Sequence, residues 1–319
     1  MLLYRILKFP ARIAILIYCR NIRINIPGRL HSQGPLLLAM NQPNSFLDAV
    51  ILSTLLKHPV YSLARGDAFK KKWAALLLKQ LNIFPVYRRT EGVENLTQNY
   101  ETFSDCKAVF KKKGTVLIFS EGRCINEWKL RPLVKGTARL AFSSWEENIP
   151  LKVLPVGINY QSFRSFVKNV VLNFGNPIES SVIKESENFG MAVARFNQEL
   201  RSQLNGLVMH GSPKESEFRS YFTVSIPFWQ KILLTAFASL GYILNAPLYL
   251  PLRKISLQRA APFEHYDSVL IGLLMILYPF YLIVIFLGLW RFLGVLPALC
   301  ITLLFPTCAW CFVRIKKQS

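Results

Sequence analysis

Short apolar runs alternate with longer amphipathic stretches over residues 27–226. Runs rich in aliphatic and β-branched residues predict buried strands at residues 35–39, 60–64, 83–87, 115–119, 153–159 and 170–174. Apolar positions at helical spacing predict helices at residues 46–57, 69–80, 93–113, 136–147 and 186–209. Because the two patterns take turns along the chain, the sequence predicts an α/β fold: a layered domain with a largely parallel sheet.

The N-terminal residues 1–26 have a different pattern, which predicts one amphipathic helix. Arg5, Lys8 and Arg12 share one helical face, and leucine and isoleucine side chains occupy the other. This is typical of a helix that lies in the membrane interface, and equally of a helix packed on the domain. A signal peptide is not predicted, because charges interrupt the apolar run and no small-residue cleavage site follows.

Beyond residue 227 the chain becomes strongly apolar. Residues 268–290 and 293–313 are each long enough to cross a bilayer core of about 30 Å as a helix. Basic residues flank this pair, whereas only Arg291 lies between the two runs, so we expect a hairpin whose outer ends, like the preceding domain, are on the cytoplasmic face of the membrane. A third run, 232–252, contains Gly, Asn and two Pro residues, which favours a re-entrant or monotopic segment.

Composition supports a membrane protein that meets anionic partners. The 319 residues include 39 Lys and Arg against 18 Asp and Glu, which gives a net charge of +21, and 52% are hydrophobic. Nucleic acid is not an expected partner, since the chain has no zinc-ligand spacing, basic zipper or RNA-binding aromatic strand. The six cysteines are scattered and do not form a disulfide framework, which favours a reducing compartment.

The first candidate for chemistry is the polar turn at residues 41–45, between a predicted strand and a predicted helix. Turns of this kind carry binding and catalytic groups in α/β proteins. Gln42, Asn44 and Ser45 lie in the turn, and Asp48 follows in the first turn of the helix. A simpler interpretation is that the side chain of Asn44 or Ser45 caps the helix.

Other polar groups also follow predicted strands. Arg88 and Arg89 come after the run 83–87, and Glu121, Gly122 and Arg123 come after the run 115–119. Carboxyl ends of parallel strands share one edge of a sheet, so we expect these groups to lie near the turn at 41–45. Lys135 precedes a helix whose first amides are free to meet an anion.

These stretches resemble the four ordered motifs of the glycerolipid acyltransferases, the family that forms lysophosphatidate and phosphatidate. Glu121 to Arg123, with Lys135 after them, are similar to the third motif; residues 84–88 are similar to the second and residues 154–157 to the fourth. The resemblance covers about residues 27–225. It implies a 1-acyl-sn-glycerol-3-phosphate acyltransferase-like enzyme of phospholipid biosynthesis.

The family's chemistry defines the expected partners. The donor would be acyl-CoA or acyl-carrier protein, the acceptor a lysophosphatidate or glycerol-3-phosphate-like molecule, and the surroundings membrane phospholipid. No metal or tightly bound cofactor is expected. The resemblance also implies roles for the site residues. Asp48 would orient the acceptor or a base, and Asn44 and Ser45 would contact the substrate. Phosphate would bind Arg88 and Arg89, the glycerol moiety would bind Glu121, Gly122 and Arg123, and Lys135 would add positive charge.

The first motif departs from the family pattern, which pairs an aspartate with a catalytic histidine. Asp48 is present, but the histidine is not. Pro43 stands at the family's spacing from Asp48, and Gln42 takes the histidine's position when Asn41 is aligned with the asparagine that usually precedes it. An amide cannot take a proton near pH 7, and general-base catalysis is typically worth about 10² to 10⁴ in rate. None of the four histidines, His31, His58, His210 and His265, has a helpful spacing in the sequence.

Three interpretations follow from this substitution. The chain is an acyltransferase with a weakened or substituted base, a catalytically impaired relative that binds lysophospholipid or acyl-CoA, or an enzyme in which His has changed to Gln at position 42. A transporter is not favoured, because neither predicted span contains an ionisable residue.

Overall fold

The core of the protein is a seven-stranded sheet. The computed structural model describes residues 2–87, 98–182, 188–260, 262 and 264–316. The strands are β1 (Cys19–Ile24), β2 (Leu36–Met40), β3 (Val60–Arg65), β4 (Ile83–Val86), β5 (Thr115–Phe119), β6 (Lys152–Tyr160) and β7 (Lys168–Phe174). Their order is β1-β7-β6-β2-β5-β3-β4, and every neighbouring pair is parallel except β6 and β7. The predicted α/β class with a largely parallel sheet is confirmed.

Helices cover both faces of this sheet. They are α1 (Leu2–Tyr18), α2 (Phe46–Leu55), α3 (Lys72–Gln80), α4 (Gln98–Lys111), α5 (Gly136–Glu146), α6 (Phe189–Leu207), α7 (Ser216–Phe222), α8 (Phe228–Arg259), α9 (Tyr266–Leu293) and α10 (Val295–Ile315). The central strand β2 is buried throughout, which explains its unbroken apolar sequence. Leu36, Leu38 and Met40 pack in one core with α1, α2 and α9, whereas Leu37 and Ala39 pack in a second core with α4, α5 and α6.

The N-terminal segment differs from the single helix predicted over residues 1–26. Helix α1 ends at Tyr18, and Cys19–Ile24 add a parallel strand beside β7. Pairing with a distant strand satisfies these backbone groups, and this tertiary effect outweighs the local helical pattern. Helix α1 buries Tyr4, Ile15 and Tyr18 but leaves other apolar side chains exposed. It therefore packs on the domain and also has an apolar outer surface, while its place in a membrane interface stays a prediction.

Helices α8, α9 and α10 are each long and apolar enough to cross a membrane. Gly294, with φ of 82°, makes the tight turn between α9 and α10 where the sequence predicts one. The run 232–252 lies inside one continuous helix, α8, even though Pro247 and Pro251 are within it. The interruption expected from the sequence is therefore absent, and a re-entrant position for this segment stays a prediction.

Close packing and polar contacts join the three apolar helices. Gly241 of α8 lies against the backbone of Cys308 in α10, where a side chain of any size would overlap the carbonyl group. The Asn245 side chain donates to the carbonyl of Phe305 at 3.2 Å and accepts from the Tyr278 hydroxyl at 2.9 Å. Asn245 thus connects α8 to both α9 and α10.

Candidate active site

The turn between β2 and α2 is built by buried hydrogen bonds. The Asn41 amide donates to the carbonyl of Ile158 at 3.0 Å and accepts from the Ile158 N–H at 2.8 Å, so it fastens the turn to β6. The Asn126 side chain donates to the Pro43 carbonyl at 2.7 Å from the opposite side. These contacts hold the turn at the carboxyl edge of the sheet, where the parallel strands β2, β3, β4 and β5 end.

Neither Asn44 nor Ser45 caps α2 in the way expected from the sequence. The Asn44 amide donates to Asp267, and the Ser45 hydroxyl lies 2.7 Å from His265 Nδ1. An amide of the first turn of α2, that of Leu47, instead donates to a hydroxyl of α9. The capping prediction is wrong because side chains of a segment more than 200 residues away occupy these positions.

Asp48 is completely buried. Its Oδ2 accepts from the Asn44 N–H at 2.8 Å and its Oδ1 accepts from the Tyr160 hydroxyl at 2.7 Å. Burial raises the pKa of the Asp48 carboxyl well above its usual range. In the structure Asp48 joins the turn to β6, and a direct role toward substrate stays a prediction.

Glu121 connects the turn to the loop after β5. Its carboxylate accepts from the Gln42 N–H at 2.9 Å and from the Arg131 N–H at 2.8 Å. Burial raises the pKa of the Glu121 carboxyl. Gly122 follows with φ of 64°, a conformation that favours glycine, and there Val134 packs against the space a side chain would need. Glu121 thus orders the loop that presents Arg123, while a contact with glycerol stays a prediction.

One large cavity brings together five of the eight predicted site residues that the structure describes, whereas Asn44, Asp48 and Glu121 are not in its wall. It has a volume of about 1160 Å³, and its wall includes Gln42, Ser45, Gly122, Arg123 and Lys135. Other cations of the wall, from separate elements, are Arg65, Lys107 and Arg139. Among the described residues of this wall, Glu264 is the only acid. Arg88 and Arg89, the predicted phosphate ligands, lie outside the described residues.

Two residues that the sequence interpretation missed are close to the turn. His265, at the start of α9, lines the cavity, although no spacing in the sequence connects it to the motifs. Burial and the neighbouring Arg65 guanidinium lower the pKa of its imidazole. Asp267, two residues later, is buried and was overlooked because the apolar run begins just after it.

Asp267 is the centre of a buried polar network. Its carboxylate accepts from the Tyr18 hydroxyl, from the Asn44 amide at 2.6 Å and from the Lys168 ammonium. Both side chains of the Lys168–Asp267 pair are 0% exposed. The network therefore links α1, β7 and α9 to the turn that carries the candidate site.

Comparisons with known proteins give a family match over part of the chain. Residues 21–159 match the family model described as Acyltransferase. The crystal structure of the 1-acyl-sn-glycerophosphate (LPA) acyltransferase PlsC from Thermotoga maritima is similar over 59% of this chain and 71% of that one, with 12% identity and a TM-score of 0.43. A search of curated proteins finds no significant match.

Proposed function

We propose that this protein transfers a fatty acyl group from an acyl thioester to the free hydroxyl of a lysoglycerophospholipid, since residues 21–159 match the family model described as Acyltransferase. The thioester is acyl-CoA or acyl-carrier protein, and the acceptor is lysophosphatidate or a glycerol-3-phosphate-like molecule. The reaction requires no metal or resident cofactor. The domain works at the cytoplasmic face of the membrane that holds α8, α9 and α10.

The observation that carries this proposal is the cationic cavity beside the turn at residues 41–45. Arg123 and Lys135 line it, and within the described part of the chain neither has an acidic partner. Guanidinium and ammonium groups are the usual partners of phosphate oxygens. A phosphate bound here would bring the acceptor hydroxyl of the same molecule near Gln42 and Ser45.

The apolar region supports a lipid as the acceptor. Glu264 and His265, directly before α9, belong to the cavity wall, so the cavity reaches the base of a helix that can cross a membrane. A second, largely apolar cavity of about 290 Å³ lies between α1 and the three apolar helices, with Tyr18 in its wall. Under this proposal, an acceptor anchored in the bilayer reaches the cationic cavity beside the start of α9.

The test is an acyl-transfer assay on the full-length protein in detergent or lipid vesicles. Lysophosphatidate and labelled acyl-CoA should give phosphatidate. Arg123→Ala or Lys135→Gln should raise the KM for lysophosphatidate about 10- to 100-fold, because a hydrogen bond to a charged group contributes about 1.5 to 3 kcal/mol. The KM for monoacylglycerol, which lacks the phosphate, should stay the same.

Lys152→Gln is the matched control, since it removes one positive charge from an exposed ion pair with Glu179. Its KM should equal that of the unmodified protein. Equal use of acceptors with and without phosphate, or absence of transfer to any of them, would contradict the proposed function.

A second candidate function is lipid binding without catalysis. Gln42 favours it, because the position that carries the base in the resembling family has no group that can take a proton. This function requires that lysophosphatidate and acyl-CoA bind, that the unmodified protein transfers nothing, and that Gln42→His gains transfer activity.

A further inference from the structure

The cavity wall contains an imidazole side chain, although residue 42 is a glutamine. His265 lies in the same cavity wall as Gln42, and its ring is partly exposed. Among the described residues of this wall it is the only histidine. It lies outside residues 21–159, which match the acyltransferase family. The C-terminal region thus adds an imidazole to a cavity wall that has no other among its described residues.

The contact between His265 and Ser45 determines which ring nitrogen is available. The Ser45 hydroxyl lies 2.7 Å from Nδ1, which leaves Nε2 as the other polar atom of the ring. A hydrogen bond at one nitrogen fixes the tautomer and the orientation of the ring. If Nδ1 carries the proton and donates to Ser45, then Nε2 has the free electron pair that a base needs.

The backbone at Ser45 has an unusual conformation. Ser45 has φ of 54° and ψ of −131°, a conformation that is costly for a residue with a side chain. The N–H of Ser45 donates to Cys124 Sγ at 2.9 Å, and the adjacent Asn44 side chain is tied to Asp267. Strain of this kind persists only where surrounding contacts impose it, and it is concentrated at functional sites.

We propose that His265 is the catalytic base of this acyltransferase, oriented by the Ser45 hydroxyl at Nδ1, and that it replaces the histidine missing at position 42. The inference rests on the proposed function and adds the identity of the base. Ser45 is a positioning residue, because it acts on the substrate only through the imidazole.

The proposed step conserves atoms and charge. Nε2 of His265 takes the proton of the acceptor hydroxyl while the oxygen of that hydroxyl bonds to the thioester carbonyl carbon. The carbon–sulfur bond then breaks, and the leaving thiolate takes the proton back from Nε2. The products are the ester and the free thiol, and the imidazole is neutral again.

The charges near the ring are consistent with a neutral imidazole. Burial is the largest cause of the lowered pKa of His265, and Arg65 of β3 lowers it further. Glu264, the residue before His265 in the chain, raises this pKa by a smaller amount. Glu264 also pairs with Arg164 at 3.7 Å. The base should therefore be unprotonated at neutral pH, and kcat/KM should fall only as the pH drops below the ordinary histidine range.

Steady-state kinetics of the full-length protein test the proposal. His265→Gln keeps a side chain that can bond to Ser45 but cannot take a proton, so kcat should fall about 100-fold or more while KM changes little. His210→Gln is the matched control, since His210 is exposed and is not part of the cavity wall. Thermal unfolding of each variant should be measured to show that it is folded.

Two further variants separate catalysis from structure. Gln42→His together with His265→Gln should recover at least about tenfold in kcat, because the family's own base position is then occupied. Ser45→Ala should lower kcat without changing KM, because only the orientation of the ring is lost.

The tautomer gives a measurement that does not depend on activity. Nitrogen-15 NMR of histidine-labelled protein should show the proton of His265 on Nδ1, and Ser45→Ala should shift that signal. A proton on Nε2 would overturn the assignment of the base. Full activity of His265→Gln beside an active unmodified protein would overturn this inference alone, whereas absence of transfer by the unmodified protein would overturn the proposed function as well.

Discussion

Replacing Asp267 with asparagine tests the buried network that joins the apolar helices to the candidate site. Asp267→Asn keeps the size of the side chain and removes its charge. In the unmodified protein the Asp267 carboxylate accepts hydrogen bonds from Tyr18, Asn44 and Lys168. In the variant the ammonium of Lys168, which is 0% exposed, has no counter-charge.

The expected cost is large because the pair is fully buried. Removing one partner of a buried ion pair costs about 3 to 5 kcal/mol, since an uncompensated charge is left in a medium of low polarity. For a protein of a few hundred residues each kcal/mol lowers Tm by about 2 to 4 °C, so Asp267→Asn should lower Tm by about 6 to 20 °C.

Thermal unfolding in detergent, followed by tryptophan fluorescence, measures this effect. Glu179→Gln is the control, because it breaks the ion pair with Lys152, in which the side chains are 51% and 56% exposed. Its cost should be below about 1 kcal/mol. Lys168→Met combined with Asp267→Leu should recover much of the lost stability, because both charges are removed together. If Asp267→Asn lowers Tm no more than the control does, the network is not a stabilising contact and the reasoning is refuted.

Three further predictions concern packing and pH. Gly241→Val should lower Tm in detergent, at a cost of about 1 to 3 kcal/mol in stability, because the new side chain meets the α10 backbone. Gly272→Val is the control and should have little effect, because the space around Gly272 in α9 is open. Equal effects of the two variants would contradict the contact between α8 and α10. Asn245→Leu should cost about 0.6 to 2 kcal/mol in the same assay, because it leaves Tyr278 without its acceptor; an unchanged Tm would mean that this contact does not hold the helices. Burial raises the pKa of Glu121 above its unfolded value, so ionisation destabilises the fold as the pH rises from about 4.5 through the raised pKa. As the pH rises through that range, the Tm of the unmodified protein should therefore fall relative to the Tm of Glu121→Gln. A Tm difference that does not change with pH would contradict the raised pKa.

The order of the elements follows directly from local sequence patterns. All six predicted strands and all five predicted helices of residues 27–226 are present in the structure, with ends that differ by a few residues where they are described. Buried strands need unbroken apolar runs and helices need apolar positions at helical spacing, so this information lies within each segment. The same holds for α9 and α10, whose length and apolarity are properties of single helices. Strand β1 was missed because its structure depends on β7, about 150 residues away.

The residues of the candidate site also differ in whether the sequence alone could identify them. The sequence identified Gln42, Ser45, Arg123 and Lys135 because parallel strands deliver their following loops to one edge of a sheet, and the structure gathers these four side chains in one cavity. It could not identify His265, which is 220 residues from Ser45 along the chain and yet in contact with it.

The sequence by itself determined six of the seven strands, the apolar helices and the groups that follow the strand ends, because neighbouring residues carry those signals. Only the tertiary structure decided that Asp48 is buried, that Asp267 holds Asn44, and that an imidazole from the start of α9 contacts Ser45 in the turn at residues 41–45. Contacts between segments so far apart depend on how the apolar helices pack against the sheet, and no periodicity within either segment records that packing.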